Sequence, residues 1–547
     1  MKKNNLIEGT IIATSAIILV KILGMLYVIP FYQIVGARGG ALYSYAYNIY
    51  AIFLAISSAG LPNAVSKVIS EYNTLNMKEA KNRAYYLAKN IITFISIIAF
   101  LILFIFADEI GAFIINDLSG GNTISDVAFA IRCVSPAVLV IPFLSVTKGF
   151  LQGHKFVTPS SIGELIEQFV RIIVIICGSY LCLNILNKSL SFTIGVAVSG
   201  AFFGGISAYF YLKHVINKHK KELDFNDDIK HDNIESKDII RKIVKYAIPF
   251  VIISLVTHVF FFTDQILILR TLDKIGYSTF DVEFVASAIS TWSPKICTII
   301  TAIGSGMAIS LIPTIVSSYT KKNHKELEDN INKALSLVIS LSLPVTLGLS
   351  ILSTSVWRIF YNDNIYGSMI LKYAVYSAML ANIYLVITNI LQSLNRFKSV
   401  YLVSFVGFVL NALLDIPLMY LFHYLGIEAF LGSILASVIG YSTSIIIGLT
   451  ILKKKDRISY KTTVSILIRN LIPGGIMFIS LILLNNLLPF NEYTISGAII
   501  TSIIDAVLGG IIYLYFAYRI RLIQDVLGKE VVNKVLKKLT RGKLKIN

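Results

Sequence analysis

Long apolar runs constrain the fold of this 547-residue chain more than any other feature. Fourteen runs of roughly 20 mainly apolar residues follow one another, and each is long enough to cross a bilayer as a helix. We place them at 8–32, 42–71, 86–107, 126–152, 160–184, 190–213, 243–271, 284–317, 330–357, 366–394, 400–423, 429–452, 463–488 and 495–517. With 55% hydrophobic residues, the chain is too apolar for a soluble protein. The runs predict an all-α polytopic membrane protein with 14 transmembrane helices.

The net charge of +18 lies mainly in alternate loops. The basic loops contain Lys78, Lys81 and Arg83; residues 213–221; Lys321, Lys322 and Lys325; Arg396 and Lys398; and residues 453–457. Because basic residues collect on the cytoplasmic side of membrane proteins, this alternation predicts that both termini are cytoplasmic. It also makes anionic lipid headgroups, and not nucleic acid, the expected partners of the basic face and of the basic tail at 519–547.

Two sequence echoes indicate an internal duplication. The segment 70–79 matches 317–326 at five of ten positions, and Phe-Leu-Gln-Gly at 150–153 resembles Ile-Leu-Gln-Ser at 390–393. Six apolar runs separate the copies of the first pair, so both copies keep the same orientation in the membrane. We therefore predict two six-helix lobes in a parallel repeat, with two extra C-terminal helices. The expected divisions are an N-lobe at 1–216, a cytoplasmic linker at 217–240, a C-lobe at 241–455, two further helices at 456–518 and the tail at 519–547.

Lysines inside the apolar runs mark a candidate anion site. Lys21 and Lys295 each lie eleven residues from the predicted outer end of their runs, or about 16 Å deep at 1.5 Å per residue. Lys67 lies nearer the cytoplasmic face, where snorkelling explains it equally well. Cations that converge on a central cavity suit a phosphate or pyrophosphate, whereas the alternative is that each lysine pairs with a carboxylate for structure.

A second group of polar residues shares one predicted depth. Asp264, Asp415 and Ser437 each lie about 12 Å from the predicted outer surface, and Asn411 precedes Asp415 by one helical turn. Carboxylate, amide and hydroxyl oxygens suit Na⁺, or alternatively a proton relay.

The predicted fifth span has a charged face. Glu164, Glu167 and Arg171 follow the spacing of one helical side, and Arg132 on the preceding span is placed to meet one of the glutamates. An internal salt-bridge network is the favoured interpretation, and substrate contact is the alternative.

The sequence has no Gly-rich lysine loop for nucleotide phosphates and no HExxH metal motif. We therefore expect a transporter and not an enzyme, without a cofactor apart from a coupling ion. Its energy would come from an ion gradient or the membrane potential, or transport would run downhill.

Several motifs resemble a known family. Lys21-Ile-Leu-Gly24 with Tyr27, Gly60-Leu-Pro62 and Gly149-Phe-Leu-Gln-Gly153 are similar to sequences of the multidrug/oligosaccharidyl-lipid/polysaccharide exporter superfamily, as is Glu167-Gln-Phe-Val-Arg171. The resemblance covers essentially the whole chain. It is nearest to the branch that contains MurJ-type lipid II flippases and stage V sporulation protein B of Gram-positive bacteria.

This resemblance implies an alternating-access fold in a bacterial cell membrane. It implies that Lys21, Lys67 and Lys295 bind the pyrophosphate of an undecaprenyl-linked glycolipid, at positions where better-known members use arginine. It also implies a sodium site of Asp264, Asn411, Asp415, Ser433 and Ser437, and a lipid-tail groove made by the last two spans. We expect a monomer that translocates lipid II, the peptidoglycan precursor. The alternatives are a flippase for another undecaprenyl-linked glycan (capsule, teichoic acid or spore envelope), a cation or drug antiporter, and a membrane scaffold for cell-wall enzymes.

Overall fold

The computed structural model describes residues 6–58, 60–116, 118, 120–223, 234–362, 364–487 and 494–528. Within these ranges the chain forms helices and connecting turns, with no strand. Parts of the predicted linker and tail, at 224–233 and 529–547, lie outside the described residues.

Nine α-helices precede the linker. They are α1 (Leu6–Leu26), α2 (Val28–Ser58), α3 (Leu61–Thr74), α4 (Lys78–Ile105), α5 (Ala107–Ile115), α6 (Ile124–Val134), α7 (Pro136–Gly153), α8 (Val157–Ile173) and α9 (Leu190–Lys218). Two π-helical turns, Val174–Gly178 and Leu181–Ile185, follow α8.

Eleven α-helices follow the linker in the described part of the chain. They are α10 (Ser236–Ile275), α11 (Thr279–Ser287), α12 (Ser293–Thr320), α13 (His324–Ile351), α14 (Ser353–Tyr361), α15 (Ile365–Ser393), α16 (Phe397–Tyr424), α17 (Phe430–Asp456), α18 (Lys461–Leu487), α19 (Ile495–Arg519) and α20 (Leu522–Leu527). A π-helical turn, Ala288–Trp292, joins α11 to α12.

Twelve helical segments of the described residues are long and apolar enough to cross a membrane, and Ile12–Leu26 is a shorter apolar helix. The predicted run 284–317 spans the end of α11, the π-helical turn and most of α12. Large apolar side chains such as Phe94, Phe210 and Phe405 are more than 60% exposed, as expected for helix faces in contact with lipid. The all-helical membrane fold is confirmed, and the count of fourteen spans is approximate.

Local sequence explains where several helices begin and turn. The Thr123 hydroxyl accepts a hydrogen bond from the backbone N–H of Asp126, and the Asp126 carboxylate accepts one from the backbone N–H of Thr123; together the two bonds form a capping box at the start of α6. Asn323 caps α13 in a similar way, through the N–H of Glu326. Gly36 bends α2 sharply with a φ of 66°, a conformation that glycine adopts without steric cost.

The helices form two compact units. The first contains 1–295 with 415–430, and the second contains 296–414 with 431–547. Within the first unit α7 and α8 pack on α9, α1 packs on α8 and α10 packs on α2; within the second, α13 packs on α15 and α18, and α18 packs on α19. Thus α10 and α11 pack with the N-terminal half of the chain, and the lobe boundaries at 1–216 and 241–455 stay a prediction.

Candidate functional site

Lys295 lies in a cage of aromatic side chains in the first unit. Its ammonium nitrogen is 4.7 Å from the ring centre of Tyr27, 5.4 Å from those of Tyr43 and Tyr47, and 5.2 Å from that of Trp292. The ammonium also donates a hydrogen bond to the Tyr27 hydroxyl. Within the described part of the chain, no carboxylate forms a salt bridge with Lys295. The positive charge is therefore stabilised by ring faces and is not neutralised.

The cage depends on how α2 and α12 are built. Tyr43 and Tyr47 are four residues apart on α2, so both rings lie on one side of that helix and stack with centroids 5.9 Å apart. On the other side of the cage, the π-helical turn that ends at Trp292 inserts an extra residue before α12. Trp292 reaches α2 at Gly40, where a Cβ would lie 2.7 Å from the ring of Tyr32 and 3.3 Å from the indole nitrogen of Trp292. Glycine at position 40 thus permits the close contact that completes the cage.

A buried polar cluster lies beside the cage, between α2, α10 and the π-helical turn. The Asn48 amide donates to Gln265 at 3.1 Å, to Ser290 at 3.2 Å and to Thr291 at 3.1 Å. Gln265 in turn donates to the Ser44 hydroxyl at 2.7 Å. Because each member has a partner, the cluster satisfies its polar groups without bringing a second charge near Lys295.

A separate ion-pair network connects α7 and α8. Lys148 lies 3.1 Å from Glu167 and 3.7 Å from Glu164, and Arg171 lies 3.1 Å from Glu167. The two glutamates and Arg171 therefore belong to one network, as the favoured interpretation of the sequence requires. Lys148 is the member that sequence reasoning missed, because it lies near the predicted cytoplasmic end of its span, where a lysine usually reaches water.

The network and the cage approach each other along α2. Arg171 lines a narrow cleft together with Tyr43, Tyr47 and Tyr50. Two of these tyrosines, Tyr43 and Tyr47, also surround Lys295. The tyrosines of α2 therefore lie between two kinds of cation. Lys148 and Arg171 are paired with glutamates, whereas Lys295 forms no salt bridge with a described carboxylate.

Arg132 does not join this network, and the predicted pairing with a glutamate is wrong. The Arg132 guanidinium pairs with Asp108 and donates to the carbonyl of Phe104 at 3.3 Å. Arg132 lies in the last turn of α6, sixteen residues before Lys148 in the helical segment Ile124–Gly153, whereas Glu164 and Glu167 lie on α8 at the level of Lys148. Sixteen residues correspond to about 24 Å along a helix, and this length separates Arg132 from the level of the two glutamates.

The other two predicted phosphate ligands have different surroundings. Lys21 is half-buried on α1, which packs on α8 where Gly24 approaches Gln168. Lys67 is exposed on α3, with its ammonium 4.0 Å from the ring centre of Tyr246. Convergence of these two lysines with Lys295 on one anion stays a prediction.

The predicted sodium ligands are all buried. Exposed fractions are 2% for Asp264, 0% for Asn411, Asp415 and Ser433, and 6% for Ser437. Within the second unit, α16 and α17 approach closely, since a Cβ on Gly440 would lie 3.2 Å from the Cβ of Asn411. Ser437 is one turn from Gly440, so Asn411 and Ser437 lie on facing helices at a similar level. Asp264 and Asp415 belong to the first unit, and assembly of the full ligand set stays a prediction.

Comparisons with known proteins agree with this architecture. A family model described as "Polysaccharide biosynthesis protein" matches residues 6–277, and the MatE model matches 249–416. Lipid II flippase MurJ of Bacillus subtilis (strain 168) is 30% identical over 538 residues, which cover 96% of this chain and 98% of that protein. Stage V sporulation protein B of the same organism is 21% identical over 74% of this chain and 76% of its own length.

Solved structures show the same fold. The structure titled "Lipid II flippase MurJ, inward closed conformation" has a TM-score of 0.63 at 18% identity, and the match covers 93% of this chain and 99% of that one. An inward-facing transporter of the multidrug MATE family has a TM-score of 0.62 at 14% identity, over 80% of this chain and 96% of its own. The chain belongs to the MurJ-type branch of the multidrug/oligosaccharidyl-lipid/polysaccharide exporter superfamily.

Proposed function

We propose that this protein is a flippase for lipid II, the undecaprenyl-pyrophosphate-linked precursor of peptidoglycan, in the cytoplasmic membrane of a bacterium. The family membership and the MurJ relative support this cargo. The orientation that we propose places both termini in the cytoplasm, because the basic loops alternate along the chain.

The observation that carries the proposal is that the Lys295 ammonium lies inside a cage of neutral aromatic rings. A lysine at membrane depth is costly unless a partner stabilises it, and neutral rings provide that stabilisation here. Since the rings leave the net positive charge in place, an anionic group on a substrate can still be attracted to it. A drug or cation antiporter would need an anionic or aromatic cavity; the cavity here is aromatic, but the Lys295 ammonium inside it would repel a cation and favours a phosphate-bearing substrate.

The residues of the chain suggest how an anion would be handled. The Tyr27 hydroxyl that accepts from Lys295 is itself 3.4 Å from the Tyr43 hydroxyl. A phosphate oxygen would take the place of Tyr27 as acceptor, and the ammonium would gain a charge-assisted hydrogen bond in exchange. Lys21 would supply a second cation from α1, so that the pyrophosphate draws on both.

We also propose Na⁺ as the coupling ion, bound by Asp264, Asn411, Asp415, Ser433 and Ser437. These side chains offer the hard oxygen atoms that Na⁺ prefers, and all five are buried. When bound, the ion would offset the negative charge of the two carboxylates inside the membrane.

The experiment that tests the cargo is headgroup accessibility of lipid II in a strain depleted of its own flippase. Expression of this chain is expected to restore labelling of the headgroup at the outer surface, and Lys295→Ala is expected to abolish it because the uncompensated cation is lost. Lys295→Arg retains the charge and is expected to restore part of the activity. Lys372→Ala is the matched control, since this exposed lysine on α15 lies over a single ring, that of Tyr373.

Two results would overturn the proposal. Labelling that stays absent with the wild-type chain, while a different undecaprenyl-linked glycan becomes accessible, would replace lipid II with that cargo. Full activity of Lys295→Ala at normal protein level would remove the cage from the mechanism and favour a scaffold role.

The coupling ion is tested separately, by the sodium response of purified protein. Addition of NaCl, but not of KCl, is expected to change the fluorescence of a probe that reports conformation, and Asp264→Asn is expected to abolish the response. Asp505→Asn is the control, because Asp505 is also 2% exposed but lies on α19, outside the proposed ligand set. A sodium response that survives in Asp264→Asn would refute the site.

A further inference from the structure

A basic groove opens in the second unit where α17 ends and α18 begins. Its volume is about 1000 Å³, and its lining includes Lys453, Arg457, Lys461 and Arg469. None of these cations is among the residues that we assign to the substrate or to Na⁺.

Three of the four cations carry uncompensated charge. Arg469 pairs with Asp525 at 2.7 Å, so its charge is largely neutralised. Lys453, Arg457 and Lys461 are exposed, and they form no salt bridge with any described residue. The nearby carboxylate of Asp456 is engaged by Arg396 at 2.8 Å and does not offset them.

The walls of the groove are held in place by hydrogen bonds. The backbone N–H of Ser459 donates to Glu328 at 3.1 Å, and the Tyr460 hydroxyl donates to the carbonyl of Leu449 at 2.8 Å. Burial raises the pKa of Tyr460, so its hydroxyl stays protonated and can keep donating this bond. Ile458 is 2% exposed and anchors the turn between the two helices. Hydrogen bonds and packing therefore hold the turn between α17 and α18 in a defined conformation.

An apolar strip leads away from the cations along α18. Val464 and Ile468 line the groove and are 49% and 60% exposed. Ile472 and Ile479 continue the exposed apolar surface along the same helix, at 52% and 60%. A ligand that fits this surface carries an anion at one end and hydrocarbon at the other.

We propose that this groove binds an anionic phospholipid of the cytoplasmic leaflet, with the phosphate among Lys453, Arg457 and Lys461 and an acyl chain along α18. The positive charge of the groove suits a phosphate, and the exposed apolar strip of α18 suits an acyl chain. Basic pockets between transmembrane helices are well suited to such headgroups. The cations of this site do not belong to the Lys295 cage, and its apolar strip lies on α18, one of the two helices to which the resemblance assigns the lipid-tail groove.

Lipid retention by the purified full-length protein tests the proposal. Protein in mild detergent is incubated with phosphatidylglycerol or with phosphatidylcholine, and bound lipid is counted by native mass spectrometry. The wild type is expected to retain phosphatidylglycerol in preference to phosphatidylcholine. The triple variant Lys453→Gln, Arg457→Gln, Lys461→Gln is expected to bind phosphatidylglycerol about tenfold more weakly or worse, because three cations near the phosphate are removed.

A matched triple variant separates the groove from general surface charge. Lys213→Gln, Lys218→Gln, Lys221→Gln removes the same charge from exposed positions at the end of α9. It is expected to retain phosphatidylglycerol within about twofold of the wild type, because none of these three lysines lines the groove. Equal losses in the two triple variants would overturn the proposal, and so would equal retention of the two lipids by the wild type.

A steric variant tests the groove without changing its charge. Ser465 is exposed on the lining, so Ser465→Trp fills the space without disturbing the core. This variant is expected to lose phosphatidylglycerol retention as the charge variant does. Unchanged retention would show that the phospholipid does not enter the groove.

Discussion

Lys148 and Lys295 lie in the same helical unit, and each keeps a positive charge at least partly away from water. Lys148 is 9% exposed and lies between two glutamates, at 3.1 and 3.7 Å. Lys295 is half-buried and lies among four aromatic rings at 4.7 to 5.4 Å. The first arrangement pairs two cations with two carboxylates, whereas the second leaves a net positive charge.

This difference separates a structural role from a binding role. Removal of one partner from a buried ion pair leaves the other charge uncompensated, so such a network responds to mutation mainly through stability. A cation held by aromatic rings has no charged partner. Its removal therefore leaves only neutral side chains behind. We therefore expect mutations in the network to affect folding first, and mutations in the cage to affect transport first.

The largest expected effect on stability is that of Glu167→Ala. Glu167 contacts both Lys148 and Arg171, so its loss leaves two buried cations without their closest carboxylate. We expect a destabilisation of about 3–5 kcal/mol, visible as a large fall in the thermal unfolding temperature of the purified protein.

Glu71→Ala is the control for that variant. Glu71 also pairs with a lysine, Lys242 at 2.5 Å, but the glutamate side chain is 39% exposed. Its removal is expected to cost about 1 kcal/mol or less. If both glutamate variants unfold at the same temperature, burial does not make the Glu167 network more important for stability than the exposed Glu71 pair. A structural role of the network, in contrast to the binding role of the cage, would then be refuted.

A smaller effect is expected from Tyr43→Leu, in which the cage loses one of its four rings. The lost cation–π contact corresponds to about 1 kcal/mol, or roughly a fivefold change in an equilibrium constant. We expect lipid II accessibility to fall by that order, together with a moderate fall in the unfolding temperature, because Tyr43 is 4% exposed and its ring packs against Phe31 at 5.1 Å. A large drop in unfolding temperature with normal transport would assign the ring to packing instead of to the cation.

The sequence was sufficient to predict the helical membrane fold because twenty-residue apolar runs have few alternatives. The charges inside those runs could also be read from the sequence. They include Lys295 of the aromatic cage, and Glu164, Glu167 and Arg171 of the ion-pair network. Their importance could be inferred because a charge at membrane depth requires a reason.

The partners were harder to predict than the charges. Trp292 reaches Lys295 because a π-helical turn changes the register of the helix, and no residue pattern in that segment announces such a turn. Tyr43 and Tyr47 carried a readable signal, a four-residue spacing of aromatic residues on one span. That spacing is also common where helices simply pack, so it did not single out a cation site.

The smallest effect is expected from Arg132→Ala, because Arg132 belongs to neither the network nor the cage. It is paired with Asp108, and the two side chains are 36% and 58% exposed. Because water and ions screen an exposed pair, Arg132→Ala is expected to change stability by about 0.2–1 kcal/mol and to leave lipid II accessibility unaltered. The measurement is the same pair of assays, thermal unfolding and headgroup labelling. If Arg132→Ala abolished transport in a stably folded protein, an exposed and neutralised cation would act as the caged one does. Net charge in the cage would then no longer explain why Lys295 is suited to bind a phosphate.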